Sequence, residues 1–164
     1  MKILYREGIV KGIGDWLKEN DFTISTAESC TGGRIAAALT SVSGASKYFD
    51  GGIVAYCNDI KQTMLSVNYN TIKKYDVVSE EVVREMVKGS VVTFGSDFAI
   101  ATTGYAGTSE NDKIAPGTIW IGVGSYTRVI TMPIFEDNGR EKNIENAVNK
   151  ALTLFFTEYV KDKK

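Results

Sequence analysis

Histidine is absent from the chain, and this absence restricts the chemistry that the protein can perform. Without histidine, neither Ser-His-Asp nor Cys-His catalysis can operate, and no metal site can have histidine ligands. An enzyme with this sequence must therefore use a lysine, a carboxylate or a tyrosine as its general base.

Cysteine is scarce, since the chain contains only Cys30 and Cys57. Two cysteines are too few for a disulfide framework or a cysteine-ligated zinc site, so we predict no metal site. Reduced thiols are typical of the cytoplasm, which is the predicted location. No apolar run is long enough to span a membrane, and the N-terminal stretch lacks the apolar core and cleavage site of a signal peptide.

Excess charge of either sign is also missing, because 19 Lys and Arg residues face 20 Asp and Glu residues. No general basic field exists to attract nucleic acid or acidic lipid, so we predict neither a nucleic-acid nor a membrane partner. A hydrophobic content of 43% with only two prolines is typical of a globular protein. We therefore predict one domain over residues 1–164.

Helical and strand patterns alternate along the chain. The patterns predict helices over about residues 3–19, 31–43, 60–65, 80–94 and 140–159, and strands over about residues 21–26, 52–57, 97–104, 118–125 and 128–135. The last two strands favour an antiparallel hairpin. The alternation predicts an α/β fold, with a mixed sheet that is covered by helices on both faces.

Polar side chains follow three of the predicted strands. Ser29 follows the first, Tyr56 lies near the end of the second, and Thr103-Gly104 ends the third. Ligands of open α/β sheets bind outside the carboxyl ends of the strands, so this edge is the predicted site.

The stretch "TAESCTGGR" places Ser29, Cys30 and Thr31 ahead of Gly32-Gly33. Glycines at a helix start let backbone N–H groups approach an anion, but a plain strand–helix turn with Thr31 as N-cap explains the same residues. The stretch is neither a Walker loop nor a dinucleotide fingerprint, and no serine of the chain lies in a G-x-S-x-G or S-x-x-K motif.

Lys61 lies five residues after Tyr56, across a predicted strand–helix junction that Asn58 or Asp59 would cap. Lys61 could act as a base if burial lowers its pKa, whereas the simpler interpretation is a solvated lysine beside a core tyrosine. Cys30 is the competing nucleophile. Arg140 could hold a phosphate or could be an ordinary surface arginine.

The long run "TAESCTGGRIAAALTSVSGASKYFDGGIVAYCNDIKQTMLSV" closely resembles the CinA family, the C-terminal domain of competence-damage-inducible proteins. The segments "VVSEEVVREMVKGS", "ATTGYAGT" and "PGTIWIGV" extend the match, which covers roughly residues 5 to 158. The resemblance implies a three-layer α/β/α sandwich with a mixed, mostly parallel sheet.

The same resemblance implies an amidohydrolase. Stand-alone members of this kind convert nicotinamide mononucleotide to nicotinate mononucleotide and ammonia in pyridine-nucleotide salvage, without a cofactor. Larger members carry an additional N-terminal domain, and the length of this chain matches the stand-alone form.

Residue by residue, the resemblance implies a catalytic group of Ser29 as nucleophile, Lys61 as base and Tyr56 beside them. The implied substrate-binding residues are Thr31, Gly32, Gly33, Ser46, Thr103, Gly104 and Arg140.

Two segments depart from the family pattern. The usual Ala-Gly-Pro-Asp-Gly-Gly loop reads "AGTSEND", and the second arginine of the last segment falls on Ile144. These departures leave two alternatives open, a pyridine-nucleotide-binding module without turnover and an amidase for another carboxamide. A homo-oligomer is also compatible with the pattern, because a small sheet with two helical layers often leaves an apolar face uncovered.

Overall fold

The protein, studied as a computed structural model, is described over residues 7–161. Its elements are α1 (Glu7–Glu19), β1 (Ile24–Glu28), α2 (Arg34–Thr40), β2 (Phe49–Val54), α3 (Asn58–Leu65), α4 (Tyr69–Tyr75), α5 (Glu80–Phe94), β3 (Phe98–Gly104), β4 (Ile119–Gly124), β5 (Val129–Ile134) and α6 (Arg140–Phe155). A 3₁₀ turn over Ala45–Lys47 precedes β2, and a π-helical turn over Phe156–Val160 follows α6. The first residues of the predicted N-terminal helix, 3–6, lie outside the described range.

The five strands form one mixed sheet in the order β2-β1-β3-β4-β5. Strand β1 pairs in parallel with both β2 and β3, whereas β4 pairs antiparallel with both β3 and β5. The predicted mixed sheet and the predicted terminal hairpin are therefore confirmed.

Helices cover both faces of the sheet because side chains alternate along each strand. Ile24 and Ile100 pack on one face with α1, α2 and α6, whereas Ala27 and Ala101 pack on the other with α3, α4 and α5. The architecture is the expected three-layer α/β/α sandwich. None of the helices within residues 7–161 is long and apolar enough to cross a bilayer.

Several boundaries differ from the sequence prediction. Helix α2 begins at Arg34 rather than near Thr31, and β2 covers Phe49–Val54 rather than Gly52–Cys57. The N-cap of α3 is Cys57, not Asn58 or Asp59. Helix α4 was not predicted because its sequence, "YNTIKKY", has too little apolar periodicity.

The N-cap of α5 agrees with the prediction. The hydroxyl of Ser79 accepts the backbone N–H of Val82 at 3.3 Å. This bond satisfies one of the free amides at the start of the helix that covers the second face of the sheet.

Candidate active site

A cavity of about 670 Å³ opens where β1, β2 and β3 end. Its volume lies within the usual range for sites that enclose a small molecule. Six of the predicted site residues line it: Ser29, Tyr56, Lys61, Thr103, Gly104 and Arg140. The rest of the lining includes residues from the end of α4 and from the loop between β3 and β4.

Ser29 and Lys61 meet inside this cavity. The ammonium of Lys61 donates to Ser29 Oγ at 3.1 Å and to the carbonyl oxygen of Ala55 at 2.8 Å. Ser29 directly follows β1, and Lys61 lies on α3, whose start follows the neighbouring strand β2. The parallel pairing of these two strands brings the two side chains to one edge of the sheet.

Lys61 is buried, with only 2% of its surface exposed. Burial lowers the pKa of Lys61 to about 8, because removal from water penalises the ammonium form. Roughly a tenth of the side chains are then neutral at pH 7, a far larger fraction than for a solvated lysine. Burial and a lowered pKa are the properties that a lysine needs in order to act as a general base.

Cys30 also contributes to the lining of the cavity, but most of its side chain packs in the core. Its side chain is 5% exposed and belongs to the cluster that contains Ile35 and Leu39. Burial raises the pKa of the Cys30 thiol to about 12. A thiol with this pKa is protonated at neutral pH and is a poor nucleophile.

We expect Cys30→Ala to keep the catalytic rate of the wild type within about fivefold, because a buried, protonated thiol is a poor nucleophile. Steady-state rates of the variant check this, with the exposed Cys57 as a matched control through Cys57→Ala. Loss of activity in a folded Cys30→Ala protein, but not in Cys57→Ala, would contradict the prediction that Ser29 is the nucleophile.

The turn after Ser29 is organised by Glu28. The buried Glu28 carboxylate accepts the Thr31 hydroxyl at 2.7 Å and the backbone N–H groups of Ile35 and Ala36 at 2.9 and 3.0 Å. The Glu28 carboxylate therefore already binds the free N–H groups at the start of α2, where a substrate anion was one of the expected partners. Sequence reasoning missed this role of Glu28, since nothing in the sequence shows which way the last residue of a strand points.

Gly32 and Gly33 allow the backbone to make this turn. Both have left-handed backbone angles, with φ of 57° and 87°, which glycine adopts without a steric penalty. The hydroxyl of Thr31 is buried against Glu28 and Thr102. None of these three predicted substrate-binding residues is among those that line the cavity.

Ser46 lies at the opposite end of the strands from Ser29 and Lys61. It belongs to the 3₁₀ turn that leads into the start of β2, whereas the cavity lies where β2 ends. Helix α2 carries the chain back from one edge to the other. The structure therefore separates Ser46 from Ser29 and Lys61.

Tyr56 and Arg140 meet at the mouth of the cavity. One guanidinium nitrogen of Arg140 donates to the Tyr56 hydroxyl at 2.9 Å, and 59% of the Tyr56 side chain is exposed. This exposure excludes the simpler interpretation, in which Tyr56 is an aromatic residue of the core. Thr103 lies deeper, where its hydroxyl donates to the carbonyl oxygen of Val77 at 2.8 Å.

The two departures from the family pattern have different locations. Ile144 is 4% exposed and packs in the core on α6, so the side chain at this position does not face the cavity. The altered loop, in contrast, forms one wall of the cavity through Thr108 and residues 110–113. Sequence reasoning did not single out Asp76 and Asn111 of this wall, because their pairing joins segments 35 residues apart.

Metal ligation has no support from the described side chains. Within residues 7–161, no group of three or more His, Cys, Asp or Glu side chains is arranged to hold a metal ion.

The chain is similar to proteins of a known family. The family model described as "CinA C-terminal domain" matches residues 6–159. A CinA-like protein of Flavobacterium psychrophilum is 42% identical over 92% of this chain, but the chain covers only 36% of that protein. The nicotinamide-nucleotide amidohydrolase PncC of Enterobacter agglomerans is 38% identical over 92% of this chain and 93% of its own length.

The fold comparison agrees with the sequence comparison. The crystal structure of the competence damage-inducible protein A of Klebsiella pneumoniae superposes with a TM-score of 0.90, at 28% identity. The match covers 98% of this chain and 100% of that one.

Proposed function

The chain belongs to the CinA C-terminal domain family, and we propose that it is a nicotinamide-nucleotide amidohydrolase. The proposed reaction converts nicotinamide mononucleotide and water to nicotinate mononucleotide and ammonia, a step of pyridine-nucleotide salvage. The relative named for this activity has nearly the same length as this chain, which supports the assignment. The CinA-like relatives are longer, and the chain covers 36% of the Flavobacterium psychrophilum protein.

One observation carries the proposal, the 3.1 Å contact between a serine hydroxyl and a buried lysine at the base of a ligand-sized cavity. Neutral Lys61 accepts the proton as Ser29 Oγ attacks the carboxamide carbon. The proton then passes from Lys61 to the departing nitrogen, the C–N bond breaks, and ammonia leaves a nicotinoyl ester on Ser29. Lys61 then takes a proton from water, which attacks the ester carbon. The ester C–O bond breaks, Lys61 returns the proton to Ser29 Oγ, and nicotinate mononucleotide leaves.

The tetrahedral oxyanion needs hydrogen-bond donors near Ser29. Backbone N–H groups of the turn at Cys30 and Thr31, or of Gly104 across the cavity, are the candidates nearest in the chain or in space. Tyr56 and Arg140, which bond to each other at the mouth, are proposed to position the substrate.

The direct test is ammonia release from nicotinamide mononucleotide by the purified protein. Stoichiometric ammonia and nicotinate mononucleotide are the expected products. A folded protein that binds this nucleotide without releasing ammonia would instead be a binding module, and one that hydrolyses a different carboxamide would be a related amidase. Because the altered loop forms part of the cavity wall, the test also includes a panel of other carboxamides.

The pH dependence of the reaction follows from the lowered pKa of Lys61. A base must be neutral, so kcat/KM is expected to rise about tenfold per pH unit at acidic pH and to level off above pH 8. The rate rises with pH because Lys61 acts as a base only in its neutral form. Burial moves the midpoint of this rise below the alkaline pKa of a solvated lysine.

A kcat/KM profile between pH 6.5 and 9.5 measures this midpoint directly. A profile that is flat over this range, or that still rises steeply at pH 9.5, would contradict the proposed state of Lys61.

A further inference from the structure

Three cationic side chains line the cavity among the described residues: Lys61, Lys113 and Arg140. Lys61 is buried against Ser29 and must lose its charge during the reaction, so it cannot serve as a permanent partner for an anion. Arg140 and Lys113 are exposed at the mouth. A substrate that carries a charged phosphomonoester meets these two cations there.

Lys113 is free to bind an anion. Within residues 7–161, no carboxylate lies within ion-pairing distance of its ammonium, although five other pairs form elsewhere. The mouth of the cavity also includes the carboxylates of Glu110 and Asp112 from the same loop. Lys113 offsets one of these two negative charges and gives the loop a positive group that can contact a phosphate.

The side chain of Asn111 fixes the loop that carries Lys113. Its amide nitrogen donates to the Asp76 carboxylate at 2.8 Å, and its amide oxygen accepts the backbone N–H of Lys113 at 2.9 Å. The same carboxylate accepts the Val78 N–H at 2.8 Å and the Tyr105 hydroxyl at 3.2 Å.

Asp76 therefore anchors the loop, since its carboxylate accepts three hydrogen bonds from the surrounding chain. It holds this position despite a backbone φ of 72°, which is unfavourable for a residue other than glycine. The hydrogen bonds of Asp76 and Asn111 therefore hold the backbone of Lys113 at the wall of the cavity.

We propose that Lys113, together with Arg140, binds the phosphate of the nucleotide substrate and thereby selects a nucleotide over the corresponding nucleoside. This proposal rests on the proposed amidohydrolase function. Arg140 supplies directed N–H donors from the start of α6, and Lys113 supplies a compact charge from the loop between β3 and β4. The expected contribution of Lys113 is about a tenfold increase in affinity for the phosphorylated ligand.

The test is a binding titration in the Ser29→Ala protein, which cannot consume its ligand. Nicotinamide mononucleotide and nicotinamide riboside are titrated into this background with Lys113 intact, with Lys113→Met and with Lys113→Arg. Lys47→Met is the matched control, because it removes the same charge from the exposed turn before β2, away from the cavity.

Support for the proposal is a Kd for the mononucleotide that rises about tenfold in Lys113→Met and is largely restored in Lys113→Arg. The Kd for the riboside, and the Kd of Lys47→Met for both ligands, should be unchanged. Equal losses for both ligands, or no loss for the mononucleotide, would overturn the role of Lys113 and leave the proposed function intact. If the protein with Lys113 intact binds neither ligand, the proposed function fails, and the phosphate subsite fails with it.

Discussion

Replacing Ser29 by alanine is expected to reduce ammonia release by at least about a thousandfold, the largest effect that we predict. The attacking oxygen is removed, and no other nucleophile is available at this position. The neighbouring thiol of Cys30 is buried and has its pKa raised to about 12. Initial rates of ammonia release from nicotinamide mononucleotide, measured with wild-type and Ser29→Ala proteins at equal concentration, check the prediction.

Two controls make the Ser29 result specific. Ser46→Ala removes a serine from the opposite edge of the sheet and is expected to have a near-wild-type rate. The thermal midpoint of Ser29→Ala should stay within a few degrees of the wild type, since only one hydroxyl is lost. A folded Ser29→Ala protein with substantial turnover would exclude the acyl-enzyme mechanism.

Lys61→Arg is expected to be nearly as inactive as Ser29→Ala, with a loss of at least about a thousandfold in kcat. Arginine remains protonated at all working pH values, so it cannot take the proton from Ser29. Lys61→Met tests the same step with an apolar side chain of similar length, which suits the buried position. Steady-state kinetics at pH 8 and at pH 9.5 measure both losses.

The pH dependence separates a base from a merely structural lysine. The residual activity of Lys61→Met should lack the rise toward pH 8 that is expected for the wild type, because the titrating group is gone. Lys73→Met on exposed α4 controls for the loss of a positive charge. Near-wild-type kcat in Lys61→Arg, or an unchanged pH profile in Lys61→Met, would contradict the role of Lys61 as the base.

Much of the fold could be predicted because the patterns in the sequence are strong. Val82, Val83, Met86 and Val87 repeat at helical spacing, and they form the buried face of α5. The terminal hairpin was predicted from two apolar runs separated by a short turn. Helix α4 and the exact start of α2 were not, because a short polar helix and a glycine turn carry no such periodicity.

The candidate site was predictable only in part. Ser29, Tyr56, Thr103 and Gly104 lie at or near the ends of neighbouring strands, and strand order alone places such residues at one edge. Nothing local indicates that Lys61 is buried rather than solvated, since lysine on a helix is almost always exposed. Nor does the glycine turn indicate that Glu28 supplies the anion at the start of α2.

The composition and the local patterns of the chain are enough to exclude histidine-based catalysis and to predict the order of the helices and strands. The absence of histidine removes the common triads in any fold, and apolar periodicity is a property of each local segment. Which side chains come into contact depends on the folded molecule. The contact of Lys61 with Ser29 joins residues 32 positions apart, and its lowered pKa is caused by burial beneath several elements. Both depend on long-range packing, which no short segment can specify.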